Sequence, residues 1–255
     1  MRGTGSHSRG TPTPVRAARP RPRPPSRKAH PMDTHSATTP DLQFATSKDT
    51  RAPITYTPST HGHALLLAPV GLGRSDALRT LVRAALTASQ TTPLHTLVLS
   101  QTAVTGYWAN EGRAGAGLAS TPTQVEASID AAIEVMETRR AHGWDPDTDR
   151  TDRWVLFADA YTPGLVPARL AHLVAHGGPV GVHVVLAADE PVPGLVEATA
   201  TGDTPWGWRA AHAIPMALVH KLIADPSIAA PRTPHLWLVA DATTMDRPRL
   251  GWTPY

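Results

Sequence analysis

The sequence has no cysteine. That absence excludes a disulfide framework, thiolate-ligated zinc, iron–sulfur clusters and a cysteine nucleophile, and it fits a reducing compartment. Lysine is scarce too, with three residues against 21 arginines; with abundant Ala and Pro this bias points to a GC-rich genome rather than to a function. No apolar run reaches the roughly 18 to 20 residues of a membrane span. The Arg/Pro-rich beginning also lacks the apolar core of a secretory signal, so the chain is expected to be soluble, cytoplasmic and without a transmembrane segment. No internal repeat is visible. What is present, 255 residues with 41% hydrophobic and 18% charged, is enough for one large or two small domains whose core needs neither metal nor cross-link.

The net charge of +3 conceals a division. Residues 1–31 carry seven Arg and one Lys with no acid, so the other 224 residues hold 16 basic against 21 acidic groups. Seven of the 26 prolines lie in the same stretch. Such a composition favours polyproline II and cannot build a core. Residues 1–55 are therefore expected to be a disordered tail, basic and Pro/Arg-rich and then Thr/Ser-rich, and residues 56–255 the folded domain. The tail reads either as a non-specific contact for double-stranded DNA, with steep salt dependence, or as a solvated leader, with Met32 offering an internal start.

From Ile54–Ser59 onward, short apolar runs alternate with longer periodic segments, the signature of an α/β protein with a mostly parallel sheet. Buried strands are expected at His63–Ala68, Leu94–Ser100, Trp154–Ala158, Val180–Ala187 and His235–Ala240. Helices are expected at Ser75–Ser89, from Thr121 to Arg140–Gly143, at Val166–His176 and at Met216–Ala224, and a loop at Gly112–Gly117. Thr121 as N-cap, Pro122 at the first helical position and Gln124 two residues on make a capping-box start. Val125, Ile129, Ala132, Ile133 and Met136 supply the apolar stripe of that helix.

The strand into Leu67, the turn Ala68-Pro69-Val70-Gly71-Leu72-Gly73-Arg74-Ser75 and the helix behind it have the order and length of a phosphate-binding loop. In that motif backbone N–H groups wrap phosphates at a helix N-terminus, a Lys reaches the outer phosphates and a hydroxyl ligates Mg²⁺. Gly73 and Ser75 match; Ala68 stands for the first Gly and Arg74 for the Lys. Arg keeps the charge on a longer, planar group, so the exchange is not conservative. A Gly-rich turn without a ligand has the same outline. The apolar strand Trp154–Ala158 ends in Asp159, where a metal-holding acid belongs, but the next residue is Ala160, and a methyl cannot serve as general base.

Over roughly residues 61–191 the chain resembles the FtsK/SpoIIIE family of hexameric DNA-translocating ATPases and the related conjugation and type VII secretion ATPases. The resemblance rests on Gly62–Ala68, Leu94–Ser100, the helix ending Met136-Glu137-Thr138-Arg139-Arg140, Trp154–Asp159, and Ala168–Ala171 through Gly181–Ala188 and Pro191. It implies a three-layer, RecA-like P-loop NTPase domain with ATP and Mg²⁺ as cofactors and homo- or hetero-oligomers with FtsK-like subunits as partners. Nucleotide would be held by Gly71, Leu72, Gly73, Arg74, Ser75 and Asp76, and the metal by Ser75 and Asp159. Arg139 and Arg140 are implied as inter-subunit arginines, with a basic helix end facing its own dipole as the plain reading. The family's polar pair after the last strand is Asp189-Glu190 here, two acids that repel phosphate. The expectation is an ATP-binding protein of a DNA-transfer or secretion machine with weak or lost hydrolysis. The alternative is an inactive module that docks on an active homologue, and a third reading, an unrelated α/β enzyme, places Asp159 far from Ser75. At this length the chain is expected to lack the family's membrane region and winged-helix DNA reader, so a motor role would draw on other subunits.

Other patterns are read as structural. His172, His176 and His183 have a zinc-like spacing without a catalytic Glu. Asp145, Asp147, Asp149 and Asp152 begin like a calcium loop, but Arg150 and Leu156 replace its Gly and Glu. Trp206 and Trp208 could stack on bases or anchor an interface, although core packing is the commoner use.

Overall fold

The computed structural model describes residues 40–100, 116–145, 152–192, 195, 206–223, 229–241 and 247–254. In chain order the elements are β1 (Leu42–Ser47), β2 (Pro53–Tyr56), the single turn α1 (Pro58–His61), β3 (Ala64–Leu67), α2 (Arg74–Ala88), β4 (Leu94–Leu99) and β5 (Ala116–Ala119). Then follow α3 (Pro122–His142), β6 (Arg153–Asp159), α4 (Pro167–His176), a 3₁₀ turn at Gly178–Val180, β7 (Val182–Ala188), β8 (Trp208–Ala211), α5 (Met216–Ile223), β9 (Leu236–Asp241) and β10 (Arg249–Trp252). They build one sheet of ten strands in the order β2-β1-β10-β9-β8-β3-β7-β6-β4-β5. The run from β8 to β5 is parallel, and β9, β10, β1 and β2 extend it with antiparallel pairs.

The central strands are predominantly apolar, and β3 is so on every residue, because both of their faces are covered. Ala64 and Leu66 of β3 pack with Leu78, Leu81, Val82 and Ala85 of α2 on one side. Leu65 and Leu67 point to the other, where Val125, Ile129 and Met136 of α3 and Leu170 and Leu173 of α4 cover the sheet. Each fully buried Leu or Ile of this kind contributes roughly 1.5–3 kcal/mol of transfer free energy. The result is helix, sheet, helix, the three-layer α/β arrangement expected from the alternation of runs. Thr121 and Gln124 form the complete capping box of α3, and Gly143, at φ +65, ends that helix in the left-handed conformation that glycine adopts without strain.

Topology fixes where a ligand can sit. From β3 the chain jumps across two strand positions to β4, returns through β6 and β7, and then passes to the far side of β3 as β8. Such a reversal leaves a crevice at the carboxyl ends of the strands. Register keeps those ends level: Leu67 of β3 lies beside Ala188 of β7, and Asp159 of β6 beside Ala187.

Several boundaries differ from the sequence reading. The sheet takes in β1 and the first three residues of β2, which lie inside the stretch assigned to the tail; Leu42, Phe44 and Ile54 there are fully buried. These two strands are short and set among Thr, Ser and Asp, so their apolar residues stand out little from the polar tail. β5 occupies the end of the expected Gly-rich loop, whose residues 112–115 lie outside the described residues. β8 and β10 were not anticipated, being four-residue strands beside Gly and Pro. The DNA contact expected of residues 1–31 also lies outside the described residues.

Candidate functional site

The loop after β3 begins at Ala68, whose N–H donates to the carbonyl of Ala188 at 3.0 Å and so ties the ends of β3 and β7 together. Gly71 and Gly73 have φ of +81 and +87, and a Cβ on either would meet nothing within 4 Å. Both glycines are thus required by backbone conformation rather than by crowding. Gly73 caps α2 without any side-chain hydrogen bond, which leaves the first-turn N–H groups directed at the crevice. Ser75 and Asp76 follow in that turn, both partly exposed, while Val70 and Leu72 project outward at 70% and 44% exposure.

Arg74 turns inward. Its Nη2 donates to Oδ1 of Asp159 at 3.2 Å and to Oδ2 at 3.5 Å. Nη1 lies 3.9 Å from Oδ1 of Asp189, and the guanidinium sits 4.9 Å from the centre of the Tyr161 ring. Asp159 also accepts from the backbone N–H of Tyr161 at 3.2 Å. Thr162, buried beside it, donates from its hydroxyl to the carbonyl of Leu99 and fixes the exit of β6 against β4. The phenol of Tyr161 is held above its ordinary pKa, first by hydrogen bonding to the Asp189 carboxylate and then by desolvation and that carboxylate's charge. Nε and Nη1 of Arg74 are buried and have no hydrogen-bond partner.

The structure thus brings Arg74, Asp159 and Asp189 together with the turn that holds Gly71, Leu72, Gly73, Ser75 and Asp76. Tyr161 escaped the sequence reading; an exposed aromatic two residues past a strand carries no motif. As a cradle for phosphate the backbone fits, with open glycines and an uncapped helix start. The side chains around it do not fit the whole group. The guanidinium that would meet phosphate lies on the carboxylate that would meet Mg²⁺, and Asp189 adds a second negative charge beside it. Among the described residues, no group of three or more His, Asp or Glu side chains is placed to hold a metal ion.

Arg139 and Arg140 lie at the other end of α3. Arg139 donates from Nη1 to the carbonyl of Val180 at 2.9 Å and from Nη2 to that of Asp152, and it stacks on Trp144. These contacts pin the helix to the entries of β6 and β7, at the sheet edge opposite Asp159. Arg140 is exposed and pairs with Glu137 at 3.3 Å. Trp206 and Trp208 are fully buried on opposite faces of the sheet, so neither serves as a base platform or interface anchor. Trp206 donates to the carbonyl of Leu195, and Trp208 packs edge-on against Phe44. His183 is a core residue of β7, while His172 lies on α4 and bonds Glu137. Asp147 and Asp149 of the calcium-like run lie outside the described residues. No helix among the described residues is long and apolar enough to cross a membrane.

No family model and no curated protein matches the sequence. Solved structures do match the fold. The cytoplasmic domain of the Thermomonospora curvata type VII secretion ATPase EccC superposes with a TM-score of 0.61 at 14% identity, over 84% of this chain and 28% of that one. EssC (ATPases 2 and 3) from Geobacillus thermodenitrificans gives 0.64 at 15% identity, over 91% of this chain and 47% of that one. The pCW3 conjugation coupling protein TcpA, in its monomer form with ATPγS, gives 0.63 at 10% identity, over 88% and 69%. This chain therefore spans less than half the length of the secretion ATPases it matches. Its fold is that of the FtsK/SpoIIIE-type ATPase domains, the family that its loop, helix and strand motifs resemble.

Proposed function

We propose that this chain is an ATPase-fold subunit of a DNA-transfer or secretion machine that does not hydrolyse ATP and acts by docking on an active FtsK-like homologue. The observation that carries the reading is the buried pair of Arg74 and Asp159, at 8% and 3% side-chain exposure. The two groups that phosphate and metal would use neutralise each other. Ala160 supplies no base to orient a water, and Asp189 repels the phosphate charge. Four exposed large apolar side chains support docking at the same edge: Val70 and Leu72 in the loop, Tyr161 after β6 and Met216 after β8.

A second reading keeps ATP binding without turnover. The open cradle at Gly71 and Gly73 and the two unpartnered donors of Arg74 favour it.

ATP turnover, with and without double-stranded DNA, and nucleotide titration, with and without Mg²⁺, separate these readings. The docking subunit shows no turnover above background and no binding at millimolar ATP. Tight binding abolished by Ser75→Ala favours the second reading, and Mg²⁺-dependent turnover abolished by the same change rejects both.

A further inference from the structure

We propose that Asp189 is a built-in anion of the loop site, standing beside Arg74 where a phosphate would bind and keeping polyphosphates out. The inference deepens the non-hydrolysing reading above and rests on it. Asp189 is the first residue after β7, and the bond from Ala68 N–H to the Ala188 carbonyl holds this strand end against the start of the loop. Its carboxylate lies 3.9 Å from Nη1 of Arg74, too long for a hydrogen bond but within ion-pair distance. The Tyr161 ring underlies the same guanidinium, and the neighbouring Asp189 carboxylate raises the pKa of its phenol. Arg74 therefore has one carboxylate on Nη2 and a second facing Nη1, while Nε and Nη1 keep hydrogen-bonding capacity.

A tetrahedral oxyanion could use both of those donors together with the open backbone at Gly71 and Gly73. What opposes it is charge. A polyphosphate entering here meets Asp189 at its own binding distance from Arg74, and Glu190 stands one residue further on. Asp159 cannot be the discriminating group, since Arg74 already neutralises it. Asp189 is less enclosed, at 24% side-chain exposure, and sits at a strand end, so its charge can be removed without opening the core.

The test uses the full chain and pyrophosphate without metal, followed by isothermal titration calorimetry. Wild type is expected to show no binding at millimolar pyrophosphate, and Asp189→Asn to gain at least about tenfold in affinity, the size of one removed short-range repulsion. Adding Arg74→Ala to that variant is expected to abolish the gain. Should the Asn variant fail to fold by circular dichroism, Asp189→Ser serves in its place. The proposal is overturned if the folded variant gains nothing, if wild type already binds as tightly, if the gain survives Arg74→Ala, or if Glu190→Gln alone gives an equal gain. These outcomes are independent of ATP turnover in wild type, which tests the functional reading by itself.

Discussion

Nη2 of Arg74 and Oδ1 of Asp159 are 3.2 Å apart, with both side chains sealed from water. Removing one partner of a buried ion pair leaves the other charge without compensation, which costs about 3–5 kcal/mol, whereas replacing both with apolar groups is often neutral. Asp159→Asn is accordingly expected to lower unfolding free energy by about 3 kcal/mol, and Arg74→Met/Asp159→Leu to recover most of the loss. Urea titrations of wild type, Asp159→Asn and the double variant check this. Equal losses for Asp159→Asn and the double variant would mean that the pair contributes packing rather than charge compensation.

His63 and His183 give a pH dependence. Their rings lie 6.0 Å apart in the core, and Nδ1 of His63 accepts from the backbone N–H of Val184. Burial pushes His63 down to about 4; burial, and then the neighbouring His63, push His183 down to about 3. Both folded-state values lie below the unfolded value near 6.5, so the unfolded chain binds more protons between them. The stability these residues contribute is complete above about pH 6.5 and is lost as pH falls towards 4 and 3. At pH 5 the loss is on the order of 4 kcal/mol for the two together. Neither nitrogen of His183 has a hydrogen-bond partner. His183→Leu should therefore lose no bond and should roughly halve the slope of unfolding free energy against pH between 5 and 6.5. An unchanged slope would show that the pair is not the source.

The parallel centre of the sheet was legible because burial on both faces forces unbroken apolar runs such as Ala64–Leu67 and Trp154–Ala158. Punctuation at Thr121, Gln124 and Gly143 marked α3 equally well. Of the antiparallel extension, β9 was legible as the apolar run His235–Ala240, whereas β1, β2 and β10 were not. β1 and β10 pair residues about 205 positions apart, as at Thr46 and Trp252, and four- to six-residue strands with Thr, Ser and Gly carry little periodic signal. In the site, the sequence named Arg74 and Asp159 but assigned them to different ligands. Whether a long guanidinium reaches a phosphate or folds back onto a carboxylate depends on the spacing of two strand ends, which no local motif encodes. Tyr161 was missed for the same reason.

Gly207 illustrates a constraint that composition hides. It separates Trp206 from Trp208, and a Cβ built there would lie 2.0 Å from the backbone carbonyl oxygen of His61. That carbonyl belongs to the turn held by Thr57 N–H donating to Nδ1 of His61 and by His61 bonding Asp241. It cannot yield without breaking buried contacts. Gly207→Ala is expected to cost about 3 kcal/mol or more, far above the few tenths typical of a surface change. Thermal melts with a loss under about 1 kcal/mol would show that the turn at His61 can move away from Gly207.

Restoring an acid at position 160 is expected not to restore hydrolysis. A correctly placed general base contributes roughly 10²- to 10⁴-fold, but only when metal, phosphate and water are already in position. Here the Asp159 carboxylate accepts from Arg74 and from the Tyr161 N–H, and Asp189 faces the same guanidinium. In Ala160→Glu both obstacles remain, so its ATP turnover should match wild type. Arg74→Lys would exchange the planar fork for a compact ammonium, and Asp189→Gln would remove the opposing charge. The triple variant Arg74→Lys/Ala160→Glu/Asp189→Gln should therefore be the first to rise above background in a coupled assay with Mg²⁺, and Ser75→Ala should cancel the rise. Turnover from Ala160→Glu alone would mean that Asp159 is free to serve a metal, so that the Arg74 pair is no barrier and the loss of one carboxylate is the whole defect.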